Sequence, residues 1–115
     1  MTSQRDKLFY GLLAATACIF VYLIGFVFFK APVAQLQAGG LAQKIFYFHV
    51  PAAYAIYLCG SVCCVASALY LAGPSDARDA VARAGAECAV VFGAMVLASG
   101  PLWARKAWGV YWTWD

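Results

Sequence analysis

The chain divides into long apolar runs separated by short polar stretches. The first run extends from Leu8 to Phe29, contains no charged residue and is bounded by a lysine at each end. At about 1.5 Å per helical residue, its roughly 22 residues would cross the ~30 Å hydrocarbon core of a bilayer. Because the run exceeds the apolar core of a cleavable signal peptide, it predicts a retained transmembrane helix over 8–29.

The second run extends from Ile45 to about Leu71 and is longer than a bilayer requires. Pro51 lies within it. A proline disfavours helical backbone at the preceding residue and fits well in the first turn of a helix. The expected transmembrane helix therefore covers 51–71, and residues 45–50 are expected at the membrane surface before that helix begins.

The third run predicts a helix over 84–104, and two polar linkers, 30–44 and 73–83, separate the three runs. Backbone groups in lipid must be hydrogen-bonded within the protein, so all three runs should be helices. The last residues, 105–115, form an amphipathic tail rich in tryptophan. The predicted fold class is all-α, a polytopic membrane protein with about three transmembrane helices in a single membrane domain over 1–115.

Composition supports a lipid environment and excludes some partners. Hydrophobic residues make up 65% of the chain and charged residues only 11%, whereas soluble domains carry about 25% charged residues. The net charge of +3 is too small and dispersed for nucleic-acid binding. No acid–base pair or nucleophile arrangement occurs, so we expect a protein that is not an enzyme.

Topology brings two features to one side of the membrane. The second helix begins on the face where the third helix ends, so His49 and the tail should lie together. The eight basic residues divide equally between the two faces and do not decide which face is cytoplasmic.

His49 and the tail have the chemistry of a haem site. Imidazole is an axial ligand of haem iron, aromatic rings offer flat apolar surfaces, and cationic side chains pair with propionates. The candidate residues are His49 as ligand, Trp108, Tyr111, Trp112 and Trp114 as platform, and Arg105 and Lys106 as propionate contacts. The alternative is structural, because aromatic residues also anchor proteins at membrane interfaces.

Small residues and cysteines in the second and third helices indicate packing more than chemistry. Small side chains let membrane helices approach closely, so we expect these two helices to pack together. The residues concerned are Gly60, Ser61, Ala66, Ser67, Gly93, Ala94, Ala98 and Ser99. Cys59 and Cys63 share a helical face, but buried cysteine mostly behaves as an apolar residue, and no C-x-x-C-H motif for covalent haem attachment is present.

Two stretches together resemble the heme exporter protein C family of cytochrome c maturation: QKIFYFHVPAA, 43–53, and WGVYWTWD, 108–115. By this resemblance His49 matches the first of two family histidines that serve as axial haem ligands. The start of the family's tryptophan-rich motif is matched by Trp108, Gly109, Trp112, Trp114 and Asp115. Tyr111 stands where family members often have tryptophan.

The resemblance implies a function and an orientation. Haem b would be held non-covalently and transiently at the outer face of the bacterial inner membrane. It would be presented there to a periplasmic haem chaperone, alongside other membrane proteins of cytochrome c maturation. Met1 and the linker 73–83 would be cytoplasmic, and the linker 30–44, His49 and the tail would be periplasmic.

The family fold is a six-helix bundle, so three helices and one histidine are expected to represent its N-terminal half. A second axial ligand would have to come from elsewhere. The alternative function is a small membrane scaffold or docking subunit whose aromatic tail serves as an interfacial anchor and binds no haem.

Overall fold

A computed structural model describes residues 3–33 and 40–114 of the chain. Three long α-helices account for most of them: α1 (Gln4–Phe29), α2 (Phe46–Ala72) and α3 (Asp76–Trp108), with a short 3-10 helix (Gly40–Ile45) directly before α2. No strand occurs in either described range. Each long helix is long and apolar enough to cross a membrane. The predicted all-α, polytopic class with three candidate spans is thereby confirmed.

The chain forms two compact units, 1–33 and 34–115, and α1 makes up most of the first. Ser3 caps α1 by accepting a hydrogen bond from the backbone of Arg5, while the Asp6 carboxylate accepts one from the Ser3 N–H at 2.9 Å. The helix ends at Phe29, and the Lys30 N–H still donates to Phe26 O at 2.8 Å. Nearly every apolar side chain along α1 is exposed, as expected of a helix that faces lipid.

The start of α2 differs from the prediction. The helix was expected to begin at Pro51, after the segment 45–50, but residues 46–50 form its first turns and it begins at Phe46. The 3-10 helix leads into α2 without a break, because its last residue, Ile45, already has helical backbone angles of φ −56° and ψ −34°. Pro51 therefore lies inside α2, where its missing N–H costs one hydrogen bond near the helix start.

The start of α3 also differs. The segment 73–83 was expected to be a turn, but only residues 73–75 connect the helices and α3 begins at Asp76. Ser75 caps the helix by accepting a hydrogen bond from the Arg78 N–H at 3.3 Å, and two aspartates lie in the first turn, where they complement the helix dipole. The polar residues thus mark where the apolar run begins, at residue 84, whereas the helix itself begins eight residues earlier, at Asp76.

Helices α2 and α3 pack against each other as an antiparallel hairpin, which confirms the expected association. The backbones approach closely at Gly85, where an added Cβ would lie 3.0 Å from both Cys59 O and Cys63 N. Ala66, one of the expected small contact residues, is buried. Gly60 and Gly93 are not close-contact positions, since a Cβ at either would meet nothing within 4 Å.

Candidate functional site

The hairpin brings the start of α2 next to the end of α3. His49 projects from the first turns of α2, and its Nδ1 lies 2.9 Å from the hydroxyl of Ser99 on α3. Its ring also lies against Gly100, where an added Cβ would approach Cε1 to 3.2 Å. The histidine is half-buried and is held by a specific contact to the neighbouring helix.

Next to this contact is a cavity of about 430 Å³, within the usual size range of small-molecule sites. Its walls come from three parts of the second unit: the start of α2, the last turns of α3 and the segment after α3. The lining residues are Phe46, His49, Val96, Leu97, Gly100, Pro101, Trp103, Ala104, Trp108, Val110, Tyr111, Trp112 and Thr113. The structure therefore confirms that His49 and the tryptophan-rich tail lie together.

One wall of the cavity is a chain of three aromatic rings. The ring centroids of Phe46 and Trp103 are 4.9 Å apart, and those of Trp103 and Trp108 are also 4.9 Å apart with an interplanar angle of 78°. Such spacings are favourable for aromatic pairs. Phe46 and Trp103 were missed in the sequence, although Phe46 lies three residues before His49 and so shares its helical face.

The polar atom of the Trp103 indole has an unusual environment. Its Nε1 is buried and has no hydrogen-bond partner in the described part of the chain. A buried donor without a partner costs roughly 1–3 kcal/mol. This cavity wall therefore holds an unsatisfied donor within an otherwise apolar aromatic cluster.

Residues 105–108 of the predicted tail belong to α3, which extends past its expected end at 104, and the chain turns sharply directly after this helix. Gly109 has a left-handed backbone angle, φ +82°, and its N–H donates to Arg105 O at 3.1 Å, which favours glycine at this helix end. This turn directs Tyr111 and Trp112 to the cavity wall. Gly109, a residue of the predicted motif, does not line the cavity itself. It shapes the cavity by allowing the left-handed backbone turn at the end of α3.

Other predicted residues lie outside the cavity lining. Trp114 packs on Trp112 with centroids 5.7 Å apart and is 94% exposed. The Arg105 guanidinium donates to Gly109 O and lies 5.6 Å from the Tyr111 ring centroid, and Lys106 is exposed. Neither cation lines the cavity, so their contact with propionates stays a prediction, and Asp115 falls outside the described residues.

The cysteines form no site within the described ranges. All five are free, and no cluster of three or more histidine, cysteine or acidic residues there could hold a metal ion. Cys63 instead contacts Gly85 in the hairpin, where an added Cβ would lie 3.2 Å from the cysteine Cβ. The cavity around His49 therefore combines a haem-ligand side chain with enclosed space.

Comparison with known proteins points to one family. A sequence profile described as "Heme exporter protein C" matches residues 2–115. The chain is 36% identical over 76 residues to the heme exporter protein C of Bradyrhizobium diazoefficiens, covering 66% of this chain and 29% of the relative. It is 31% identical over 104 residues to that of Escherichia coli K12, covering 88% and 41%. A ccmC-like mitochondrial protein of cytochrome c biosynthesis from Marchantia polymorpha is 28% identical over 110 residues, covering 85% and 48%. No solved structure matches the chain.

Long apolar helices and an aromatic cavity beside one histidine define a multi-pass membrane protein with a site of ligand size. The chain belongs to the heme exporter protein C family, which confirms the resemblance carried by the two motifs. It spans less than half the length of the curated relatives described above.

Proposed function

We propose that the cavity beside His49 binds haem for cytochrome c maturation, with His49 as an axial ligand. The observation that carries this proposal is that His49, Trp108, Tyr111 and Trp112 line a single cavity. Imidazole is a good ligand for haem iron, and aromatic rings offer the apolar contact that a flat macrocycle requires. The names of the relatives, heme exporter protein C and a protein of cytochrome c biosynthesis, support haem as the substrate.

Haem is the cargo in this proposal, bound as non-covalent haem b and held only transiently. The described cavity offers one imidazole and otherwise mostly apolar or aromatic walls. A single strong ligand with apolar contacts suits a site that must later release its cargo. A second axial ligand would come from outside the described residues, and the role is binding and transfer, with no catalysis.

The proposed location is the bacterial inner membrane, with the cavity on the periplasmic side. The turn at residues 73–75 lies at the opposite end of the hairpin from His49 and would therefore be cytoplasmic. The family resemblance implies that the N-terminus is cytoplasmic as well. Haem would then be presented to a periplasmic haem chaperone, together with other membrane proteins of cytochrome c maturation. Arg105, which lies against the cavity-lining Tyr111, and Lys106 would contact the haem propionates. Asp115 would belong to the haem platform with the other residues of the motif.

The proposal is tested by measuring haem in chain purified from the membranes of a haem-producing host. Wild-type protein should show a Soret band and a positive pyridine haemochrome assay. The haem content of purified His49→Ala should be at least roughly tenfold lower than that of wild type. Tyr57→Ala, at an exposed position on α2 outside the cavity, should contain as much haem as wild type.

Two outcomes would contradict the proposal: wild-type chain without haem, or equal haem in wild type and His49→Ala. Either result would favour the scaffold function, in which the exposed Trp114 and its neighbours anchor the chain at the membrane interface.

A further inference from the structure

We infer that Ser99 is a positioning residue that fixes the tautomer and orientation of His49, so that Nε2 is the ring nitrogen available to iron. This inference rests on the proposed haem-binding function. It assigns a role to a residue whose sequence signal was only its small size.

The hydrogen-bond geometry around Ser99 determines which atom donates. Its Oγ lies 2.6 Å from Met95 O, 3.5 Å from Val96 O and 2.9 Å from His49 Nδ1. A serine hydroxyl has one hydrogen, and a backbone carbonyl oxygen can only accept. The short contact to Met95 O therefore takes the hydroxyl hydrogen, and the Ser99 oxygen accepts from His49 Nδ1–H.

This assignment determines the state of the other ring nitrogen. A neutral imidazole carries one N–H, so a proton held at Nδ1 leaves a lone pair on Nε2. Metal-ligating histidines generally donate their second ring N–H to an acceptor, which fixes the tautomer and raises the basicity of the ligating nitrogen. The pair formed by Ser99 and His49 has the arrangement that such a ligand requires.

The neighbouring residue on α3 restricts the ring as well. A Cβ added at Gly100 would lie 3.2 Å from His49 Cε1 and 3.9 Å from Nδ1. The imidazole thus lies across the Gly100 backbone while its Nδ1 is held by Ser99. Two consecutive residues of α3 therefore define both the position and the rotation of the ring.

The first test compares haem binding by full-chain variants at two half-buried serines. Ser99→Ala removes the acceptor, Ser99→Thr retains a hydroxyl, and Ser67→Ala is the matched control on α2, away from His49. We expect Ser99→Ala to weaken haem binding roughly 2- to 10-fold and to lower the iron–histidine stretching frequency of ferrous haem. Ser99→Thr should restore both, and Ser67→Ala should match wild type.

A second measurement isolates the hydrogen bond from folding effects. In His49→Gly, free imidazole can replace the missing side chain and donate to Ser99, whereas 1-methylimidazole ligates iron but has no N–H to donate. Imidazole should therefore restore haem binding at roughly 2- to 10-fold lower concentration than 1-methylimidazole. That preference should disappear in the double variant His49→Gly with Ser99→Ala.

The inference is overturned if Ser99→Ala matches Ser67→Ala in affinity and stretching frequency, or if the imidazole preference persists without Ser99. In both cases a strong effect of His49→Ala would leave the proposed haem function standing. If His49→Ala itself has no effect, the proposed function fails and the inference fails with it.

Discussion

The two ends of the α2–α3 hairpin differ in how fully their polar groups are hydrogen-bonded. At the turn, the Arg78 guanidinium donates to Leu69 O at 2.8 Å and to Gly73 O, and the Gly73 N–H donates back into α2 at 3.1 Å. At the cavity end, Trp103 Nε1 is buried without a partner among the described residues. The turn is joined to α2 by these hydrogen bonds, and the cavity end has an unsatisfied donor in addition to its His49–Ser99 contact.

This difference separates a stabilising end from a binding end. Hydrogen bonds near the turn hold the helices together, and the groups that form them are no longer available to bind a ligand. A cavity with an unpaired buried donor stabilises the fold less than a fully hydrogen-bonded region does, and such unsatisfied groups are common at functional sites. Variants at the turn should therefore change stability alone, and variants at the cavity should change haem binding.

The largest effect is expected at Trp103. Trp103→Ala removes the ring between Phe46 and Trp108 and should lower the free energy of unfolding by about 3 kcal/mol. Trp103→Phe keeps an aromatic ring and removes the unpaired N–H, so it should change that free energy by less than about 1 kcal/mol. Denaturant unfolding in detergent measures both variants, and a Phe variant as unstable as the Ala variant would contradict this account of the wall.

The next largest effect is expected at Gly85, where the backbones of α2 and α3 are in close contact. Gly85→Ala places a Cβ 3.0 Å from the α2 backbone at Cys59 and Cys63, and should cost about 1–3 kcal/mol of unfolding free energy through overpacking. Gly93→Ala is the matched control in the same helix, where a Cβ meets nothing within 4 Å. It should be neutral or stabilising by about 0.5–1 kcal/mol. Equal destabilisation by both variants would show that Gly85 is not the close contact.

The smallest effect is expected at the turn. Arg78→Ala removes the hydrogen bonds to Leu69 O and Gly73 O and should cost about 1 kcal/mol with unchanged haem affinity. Arg83→Ala, which removes only an exposed ion pair with Asp79, should cost less than about 0.5 kcal/mol. A loss of haem affinity in Arg78→Ala, measured by titration in detergent, would show that the two ends are not separable.

The sequence predicted that the helices exist better than it predicted where they end. Apolar runs identify spans because lipid requires them, but polarity marks the edge of the membrane and not the end of a helix. The segment 76–83 is polar and helical because Ser75 caps it and α3 continues beyond the apolar run. Pro51 is tolerated inside α2 because a 3-10 helix already leads into the preceding turn.

The candidate site was predicted in part for a similar reason. Counting membrane crossings was enough to place His49 beside the tail. Phe46 could have been identified from its spacing to His49 on the same helix. Identifying Trp103 and Ser99 required knowing which face of α3 meets α2, and the periodicity of an almost uniformly apolar helix does not specify that face. The roles of His49 and the tail in binding haem stay predictions.

The most direct test of the central claim is a haem titration of purified apo chain, followed by the Soret band and by tryptophan fluorescence together. If His49 and the aromatic tail form one site, both signals should saturate at one haem per chain, with strong quenching of tryptophan. His49→Ala should shift both titrations to higher haem concentration by the same factor. Quenching and Soret changes that are identical with and without His49 would contradict the claim that this cavity is a histidine-ligated haem site.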